Sequence, residues 1–466
     1  MLVSQRFHGL AVVWVLLLML AGRMLPVTAA ETLSGEFQSA SRPQPSLPES
    51  FGLPALDQGP LEVRRIQAYE DHARFTYVVA EAMSGAATIV RRTVSFHPGT
   101  YLVDDLLHLP ADAEPIEYHI PAEAAERVAQ WRSYLVDGCA ELLPQDAPGR
   151  IGPQEGEAEL RTPPEGVETP ARRRVVHVLQ LIGEGVPGEL PAVELRVENG
   201  DLHVELSSDQ HRMRLVLPPA DLEAGEIAVT AADGKELRPQ RPLPLGVLPW
   251  GEEGRKLLER WDSAYREGRR PGWDIGRPAS QLVEAVESGA LRPGRIIELG
   301  CGLGSDAIYL AQQGFDVTAI DIAATALARA REKAEAAGLR IRWVLADVVR
   351  PPNLPPFDYV YDRGCYHGLR RQHAAGYVEV LARLSQPGTR ILILAGSDKD
   401  QREGGPPQVK EEEIRGDFTD RFQIVDLRET RFDTRDASAQ GATAWLILLE
   451  RKPDGSSCSC GAEEQD

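Results

Sequence analysis

The sequence predicts a multidomain protein, an N-terminal all-β sandwich followed by an α/β domain with a mostly parallel sheet. Three observations carry this reading. Over residues 60–234 short alternating or β-branched segments follow one another between turn residues, the pattern of an antiparallel sandwich. Residues 235–250 are spaced by prolines and read as a stiff linker. Over residues 251–452 apolar runs of strand length alternate with helical patterns, as in a parallel sheet with crossover helices. With 466 residues and 42% hydrophobic content, the chain can bury two or three cores.

At the N-terminus, Arg6 precedes an apolar run over residues 10–22, and V-T-A-A ends at Ala30. This is the layout of a signal peptide or signal anchor over residues 1–30, and either form sends the rest of the chain out of the cytoplasm, periplasmic or secreted. Membrane contact is expected only if that segment stays uncleaved. A low-complexity linker follows over residues 31–59, including S-A-S-R-P-Q-P-S-L-P-E-S. The net charge of −19 and pI near 5.1 repel nucleic acid and anionic lipid, which leaves a small-molecule substrate as the expected partner and no nucleic acid. The cysteines form no disulfide framework: Cys139, Cys301 and Cys365 are scattered, and Cys458 and Cys460 lie in a Ser/Gly-rich tail, 453–466, that reads as disordered.

Strands are expected at residues 73–80, 88–96 and 100–107, with H-P-G as a turn. After a Pro/Gly/Glu-rich loop over 144–171, further strands are expected at 175–182, 192–197, 202–206, 213–217 and 226–230, with E-N-G-D and A-D-G-K as turns. R-R-T-V-S-F-H-P-G-T-Y-L-V-D-D-L-L with V-H-V-L-Q-L resembles the β-sandwich domain of heparinase II/III-type polysaccharide lyases, which implies carbohydrate contact through the sandwich. The helical toroid that carries most of that family's catalytic residues is absent, so lyase activity is not implied. His97, His108, His119, His177 and Tyr101 read as ordinary strand and loop positions.

The chemistry concentrates after residue 294. R-I-I-E-L-G-C-G-L-G-S-D runs a strand into Gly300, Gly302 and Gly304 and then into a helix, so backbone N–H groups at a helix opening can approach a ligand closely. A dinucleotide fingerprint would want glycine where Ser305 stands, and Glu298 just before the loop suits a cationic ligand better than a pyrophosphate. Three more runs each end on an acid: F-D-V-T-A-I-D on Asp321, I-R-W-V-L-A-D on Asp347 and F-D-Y-V-Y-D on Asp362. The carboxyl edge of a parallel sheet is where such folds bind ligands, and a carboxylate at Asp321 can take both ribose hydroxyls. Each acid alone also reads as a helix N-cap, Asp347 most of all.

This ordered set closely resembles the class I S-adenosylmethionine-dependent methyltransferases. The resemblance implies a Rossmann-like domain with a seven-stranded sheet, S-adenosyl-L-methionine as cofactor, and a reversed seventh strand in A-T-A-W-L-I-L-L-E-R-K. It implies that Glu298, Gly300, Gly302 and Gly304 hold the methionine end, Asp321 the ribose, and Asp347 with Val348 the adenine, while Asp362 stands beside the methyl group. W-D-S-A-Y-R-E-G-R-R-P-G-W-D-I-G-R-P and D-R-G-C-Y-H-G-L are similar to the thiopurine S-methyltransferase and tellurite-resistance branch. That likeness implies Trp261, Tyr265, Trp273 and Asp274 as a helical cover over the cofactor. Plain packing of a helix on the sheet would use the same aromatics, and an aromatic face can also meet a sulfonium.

Cys365 and His367 read three ways: a nucleophile with its base, a metal corner with His373, or the lining of an acceptor pocket. Methyl transfer from a sulfonium needs no covalent cysteine, so the third reading is carried forward, with His367 as an optional base beside Asp362 or a plain structural loop residue. The charged 398–417 stretch reads as a lid over the acceptor or a solvated loop. The functional expectation is methyl transfer to a small-molecule acceptor, a thiol or another soft nucleophile. The alternative is an extracytoplasmic carbohydrate-binding or interaction protein whose methyltransferase-like domain is non-catalytic. An export signal and a cytoplasmic cofactor stand in tension.

Overall fold

The computed structural model describes residues 45, 47, 55–56, 61–72, 75–84, 87–96, 99–108, 117–119, 128–136, 142–144, 157–159, 172–181, 192–198, 201–208, 211–218, 225–231, 236–266, 270–400, 405–436 and 438–453. The signal segment, most of the 31–59 linker, His97, Cys139, Cys458, Cys460 and nearly all of the tail lie outside these residues, as do the side chains of His108 and His119. Among the described residues no helix is long and apolar enough to cross a membrane.

The N-terminal part forms two large antiparallel sheets. The first has seven strands in the order Glu62–His72, Phe75–Ser84, Ala87–Phe96, Thr100–His108, Arg172–Leu181, Val128–Val136 and Leu142–Pro144. The second is a meander of five: Ala192–Glu198, Asp201–Ser207, His211–Leu217, Glu226–Ala231 and Glu236–Pro242. Alternation explains the second sheet, because Leu202, Val204 and Leu206 point one way along their strand and are buried, with partly exposed residues between them. They share one core with Phe75, Tyr77, Val79, Val94 and Val176 of the first sheet. Ala55–Leu56, Glu117–His119 and Glu157–Glu159 make a separate three-stranded sheet.

The proline-spaced stretch corrects the reading of it as a linker. Residues 236–242 are a strand paired to Glu226–Ala231, and Leu243, Pro244, Gly246 and Leu248 are buried. Backbone bonds tie the segment on both sides: Tyr69 N–H to the Gly246 carbonyl at 3.3 Å, Leu248 N–H to the Tyr69 carbonyl at 3.0 Å, and Leu245 N–H to the Leu345 carbonyl at 3.0 Å. Proline sets an extended backbone, and here extended chain runs between two sheets rather than through solvent.

The C-terminal part has eight strands, β1 (Arg295–Leu299), β2 (Asp316–Asp321), β3 (Arg342–Leu345), β4 (Phe357–Arg363), β5 (Ser385–Ser397), β6 (Gln408–Val409), β7 (Phe422–Arg431) and β8 (Thr443–Arg451). The main path runs β3-β2-β1-β4-β5-β8-β7, seven strands, with β6 added on β5. The first five strands pair in parallel, and β8 is antiparallel to β5 and β7, the reversed strand expected near the end of the chain. Six helices accompany them among the described residues: α1 (Gly251–Ser263), α2 (Ser280–Glu287), α3 (Ser305–Gln312), α4 (Ala324–Ala336), α5 (Cys365–Arg383) and α6 (Glu411–Phe418). In α4, alanine-rich and a strong helix former, Ala326, Leu327, Ala330 and Ala334 are the buried stripe. The chain leaves β1 toward β2 on one side, and β4 lies on the other, so a crevice opens at their carboxyl ends.

The 398–417 stretch is not one loop. Its second half contains β6 and most of α6, whose Ile414 and Phe418 are fully buried, while Arg370 of α5 bonds Glu413 at 2.8 Å and Asp417 at 2.7 Å. Glu411, Glu412, Glu413 and Asp417, in the stretch that reads as a lid or a solvated loop, belong to a docked helix.

Candidate active site

The glycine loop is built by backbone that other residues rarely adopt. Gly300, Gly302 and Gly304 have φ of 72°, 52° and 71°. At Gly304 a Cβ would lie 2.7 Å from Trp343 and 2.9 Å from Ala330, so this glycine lets α3 start hard against α4 and β3. At Gly302 a Cβ would lie 3.1 Å from the Tyr265 hydroxyl, the point where the segment after α1 closes on the loop.

Asp321 ties this loop to β2. Its Oδ2 accepts the Gly302 N–H at 2.7 Å and its Oδ1 the Ala323 N–H at 2.8 Å. Burial raises its carboxyl above the ordinary range, and the N–H groups of Ala323, Gly302 and Ile322 work against that. Glu298, on β1, is buried, and its Oε2 has no hydrogen-bond partner among the described residues. Burial first, then the charges of Asp306 and Asp321, push its carboxyl well up, while Arg363 pulls the other way. Asp306 is also buried, accepting the Ala279 N–H at 2.7 Å and the Tyr361 hydroxyl at 3.2 Å. Two of these buried carboxylates, Glu298 and Asp306, therefore feel the charge of Arg363, whose own Nε is buried without a partner among the described residues. A crevice so charged, with one free acceptor in it, suits a cationic ligand.

Asp347 opens the turn after β3, accepting the Val349 N–H at 3.1 Å, and Val348 is buried beside it. Trp261, Tyr265 and Trp273 do stand together over the glycine loop. The Trp273 indole N–H donates to the Tyr265 hydroxyl at 3.1 Å, the two tryptophan rings meet edge to face at 5.9 Å, and Trp273 is 52% exposed. Asp262 anchors this cover to α4 by accepting the Thr325 N–H at 2.8 Å and hydroxyl at 3.0 Å. Asp274 salt-bridges Arg270.

In the D-R-G-C-Y-H stretch the polar atoms of Asp362 and His367 are engaged by neighbouring donors. Asp362 comes first. It is fully buried and holds the start of α5, accepting the Cys365 N–H at 2.7 Å, the Tyr366 N–H at 2.9 Å and the Tyr377 hydroxyl. Burial lifts its carboxyl to about 6, against the Tyr377 hydroxyl and the Cys365, Tyr366 and Gly364 amides. The N-cap position is Gly364, and Asp362 two residues before it takes the first free N–H groups of the helix. His367 has one ring nitrogen engaged as well. Its Nδ1 accepts the Gly396 N–H at 3.0 Å, which fixes the proton of the neutral ring on Nε2, and burial followed by the Arg363 charge lowers it to about 4. At neutral pH it presents an N–H donor. Cys365 is a neutral thiol, pushed well up by burial and by Asp362, Asp321 and Asp347, and its sulfur lies 3.3 Å from where a Cβ on Gly300 would be. Among the described residues no three His, Cys, Asp or Glu side chains are grouped to hold a metal ion.

Two site residues escape the motif reading. Arg363 donates to the Trp273 carbonyl at 3.0 Å, and its guanidinium lies 5.8 Å from the ring centre of Phe432, which His367 meets edge-on at 6.0 Å. Arg363 follows Asp362 at the carboxyl end of β4, and that position was the available signal. Phe432 had none, since it lies beyond β7 in a segment without a motif.

Residues 257–447 match the family model of thiopurine S-methyltransferase. This part of the chain is an S-adenosylmethionine-dependent methyltransferase. It is similar to 2-heptyl-1-hydroxyquinolin-4(1H)-one methyltransferase of Mycobacteroides abscessus, 28% identical over 38% of this chain and 81% of the relative. Thiocyanate methyltransferase 1 of Arabidopsis thaliana is 29% identical over 34% of this chain and 74% of its own length. Thiopurine S-methyltransferase of Psychrobacter cryohalolentis is 24% identical over 42% and 99%. The methyltransferase aligns, therefore, with the C-terminal part, and the N-terminal sheets are outside the family match.

Proposed function

We propose that the protein methylates a small, soft nucleophile, a thiol or a related group, that reaches the site already ionised. The observation that carries this is the state of the groups at the carboxyl end of β4. Asp362 has its oxygens filled by donors, His367 has its basic nitrogen occupied, and Cys365 is held as a neutral thiol, so none of the three is free to take a proton at neutral pH. An acceptor that ionises in water needs no base, and Arg363 offers it a positive charge. Three relatives bear names that mention thiol, thiocyanate or thiopurine methylation, which favours sulfur.

When bound, S-adenosylmethionine supplies an activated methyl on a sulfonium. Glu298 takes the ammonium of its amino-acid end through the free Oε2, and the left-handed glycines let the chain approach. Asp321 receives the ribose hydroxyls on the lone pairs its two amide contacts leave. Asp347 and Val348 line the adenine, and Trp261 with Trp273 shields the sulfonium from water. His367 donates through Nε2 to orient the acceptor, and Asp362 holds the loop that carries it, as a positioning residue. We place the methyltransferase at residues 251–452 and read the two N-terminal sheets as a sandwich. A carbohydrate role for that sandwich and an extracytoplasmic address remain proposals that rest on the sequence pattern alone.

The full chain should bind S-adenosylhomocysteine by calorimetry and convert thiols that are ionised at neutral pH to methyl thioethers detected by mass spectrometry. Its rate should follow the acceptor's own ionisation rather than a protein group near pH 6.5. Cofactor binding without methylation of any thiol, selenol or thiocyanate would count against the acceptor class, and no cofactor binding at all would favour the non-catalytic alternative.

A further inference from the structure

The 243–250 segment packs Leu248 into the methyltransferase core, and it also meets the turn assigned above to the adenine. Leu245 N–H bonds the carbonyl of Leu345, the last residue of β3. Gly246 then backs directly onto the next turn: a Cβ there would lie 2.7 Å from the Ala346 Cβ, 2.8 Å from the Arg350 carbonyl and 3.3 Å from Pro352. Ala346 in turn donates to the Asp321 carbonyl at 3.1 Å, and the Arg350 N–H closes the turn on the Asp347 carbonyl at 2.8 Å. On the other side Gly246 accepts from Tyr69 of the first N-terminal sheet. Trp250 joins the two parts, its ring edge-on to Tyr69 at 6.4 Å and under the Arg350 guanidinium at 4.5 Å. Arg331 of α4 also salt-bridges Glu226 of the second sheet.

We infer that Gly246 and Trp250 are positioning residues for the cofactor: through them the N-terminal sheets hold the 346–350 turn where Asp347 and Val348 meet the adenosine end. The turn has no slack on this side, because its back is in contact with a residue that carries no side chain, and backbone bonds from Leu245 to Leu345 and from Tyr69 to Gly246 fix that segment in place. The N-terminal sheets are then a working part of the methyltransferase. This inference rests on the site reading above, and the experiment separates the two.

The full-length protein and its Gly246→Ala variant are titrated with S-adenosylhomocysteine and with methylthioadenosine, which has the adenosine end alone. Affinity for both should fall by about tenfold in the variant, since displacements of an ångström or less in a binding constellation cost that much or more. The acceptor KM and the kcat at saturating cofactor should stay near the parent values. Failure of the parent to bind either ligand overturns the site reading. A parent that binds and a variant that binds equally well, or loses affinity for S-adenosylhomocysteine alone, overturns the positioning role. Should Gly246→Ala not fold, Arg350→Met decides: it removes the contact over Trp250 and should weaken both ligands by about two- to fivefold, and unchanged binding overturns the proposal.

Discussion

In the first N-terminal sheet, Asp105 receives Arg91 on both oxygens at 2.7 Å, and Asp104 receives Arg174 at 2.8 and 2.9 Å and Arg92 at 2.6 Å, all of them buried. In the C-terminal sheet, Glu298 is as deeply buried with one oxygen unmet, and Arg363 keeps a buried Nε unmet. Burial alone would raise the Asp104 carboxyl, yet Arg174 and Arg92 hold it below its ordinary value, whereas Glu298 is left well above its own. Completed pairs hold a sheet in register, here across facing strand positions Arg91–Asp105 and Arg92–Asp104, while incomplete ones mark where something else binds.

The largest effect should come from breaking a completed pair. Asp105→Ala strands a fully buried guanidinium and is expected to cost about 3–5 kcal/mol in denaturant unfolding, whereas Arg91→Met with Asp105→Leu should recover most of it. The incomplete site should behave in the opposite way. Glu298→Gln is expected to leave the melting temperature unchanged or higher and to lower cofactor affinity by about 10–100-fold, read by calorimetry. Asp321→Ala should be worse on both counts, because it removes the anchor of Gly302 together with the carboxylate proposed to take the ribose.

A smaller effect tests His367. Its ring is neutral when folded down to about pH 4, while the unfolded chain takes a proton near pH 6.5, so the unfolded state binds more protons between those values. Its contribution to stability is full above pH 6.5 and is lost as pH falls toward 4. Asp362 works against it: its carboxyl, lifted to about 6, binds a proton in the folded state first, so stability from this group rises as pH falls from about 6 toward 4. Melting curves of His367→Gln should therefore lose the acid-side decline, and a decline unchanged from the parent would contradict the burial argument. The smallest effect is expected from Cys365→Ser, with turnover close to the parent; abolished turnover with cofactor binding intact would return the cysteine to the chemistry.

The order of motifs made the parallel sheet and glycine loop legible before any coordinates, because Glu298, Gly300–Gly304 and Asp321 sit at fixed offsets from strand ends. The same reasoning could not see the partners of Asp362 and His367. Spacing places a residue on a loop but does not say which lone pairs the neighbouring amides fill, and here Gly396 arrives from β5 and Tyr377 from further along α5. Phe432 and the contact between Gly246 and Ala346 join residues that are 65 or more apart from their partners only through the fold. Proline content reads as a sign of separation, but prolines equally suit an extended segment wedged between sheets.

Strand β3 is an edge of its sheet, and the Leu245 N–H already occupies the carbonyl of its last residue. A fragment that begins after residue 250 would uncover that edge together with the apolar core surface that Leu248 covers. Bare strand edges recruit other strands, so such a fragment would tend to pair with copies of itself, and its aggregation would report on lost edge protection rather than on any weakness of the methyltransferase fold.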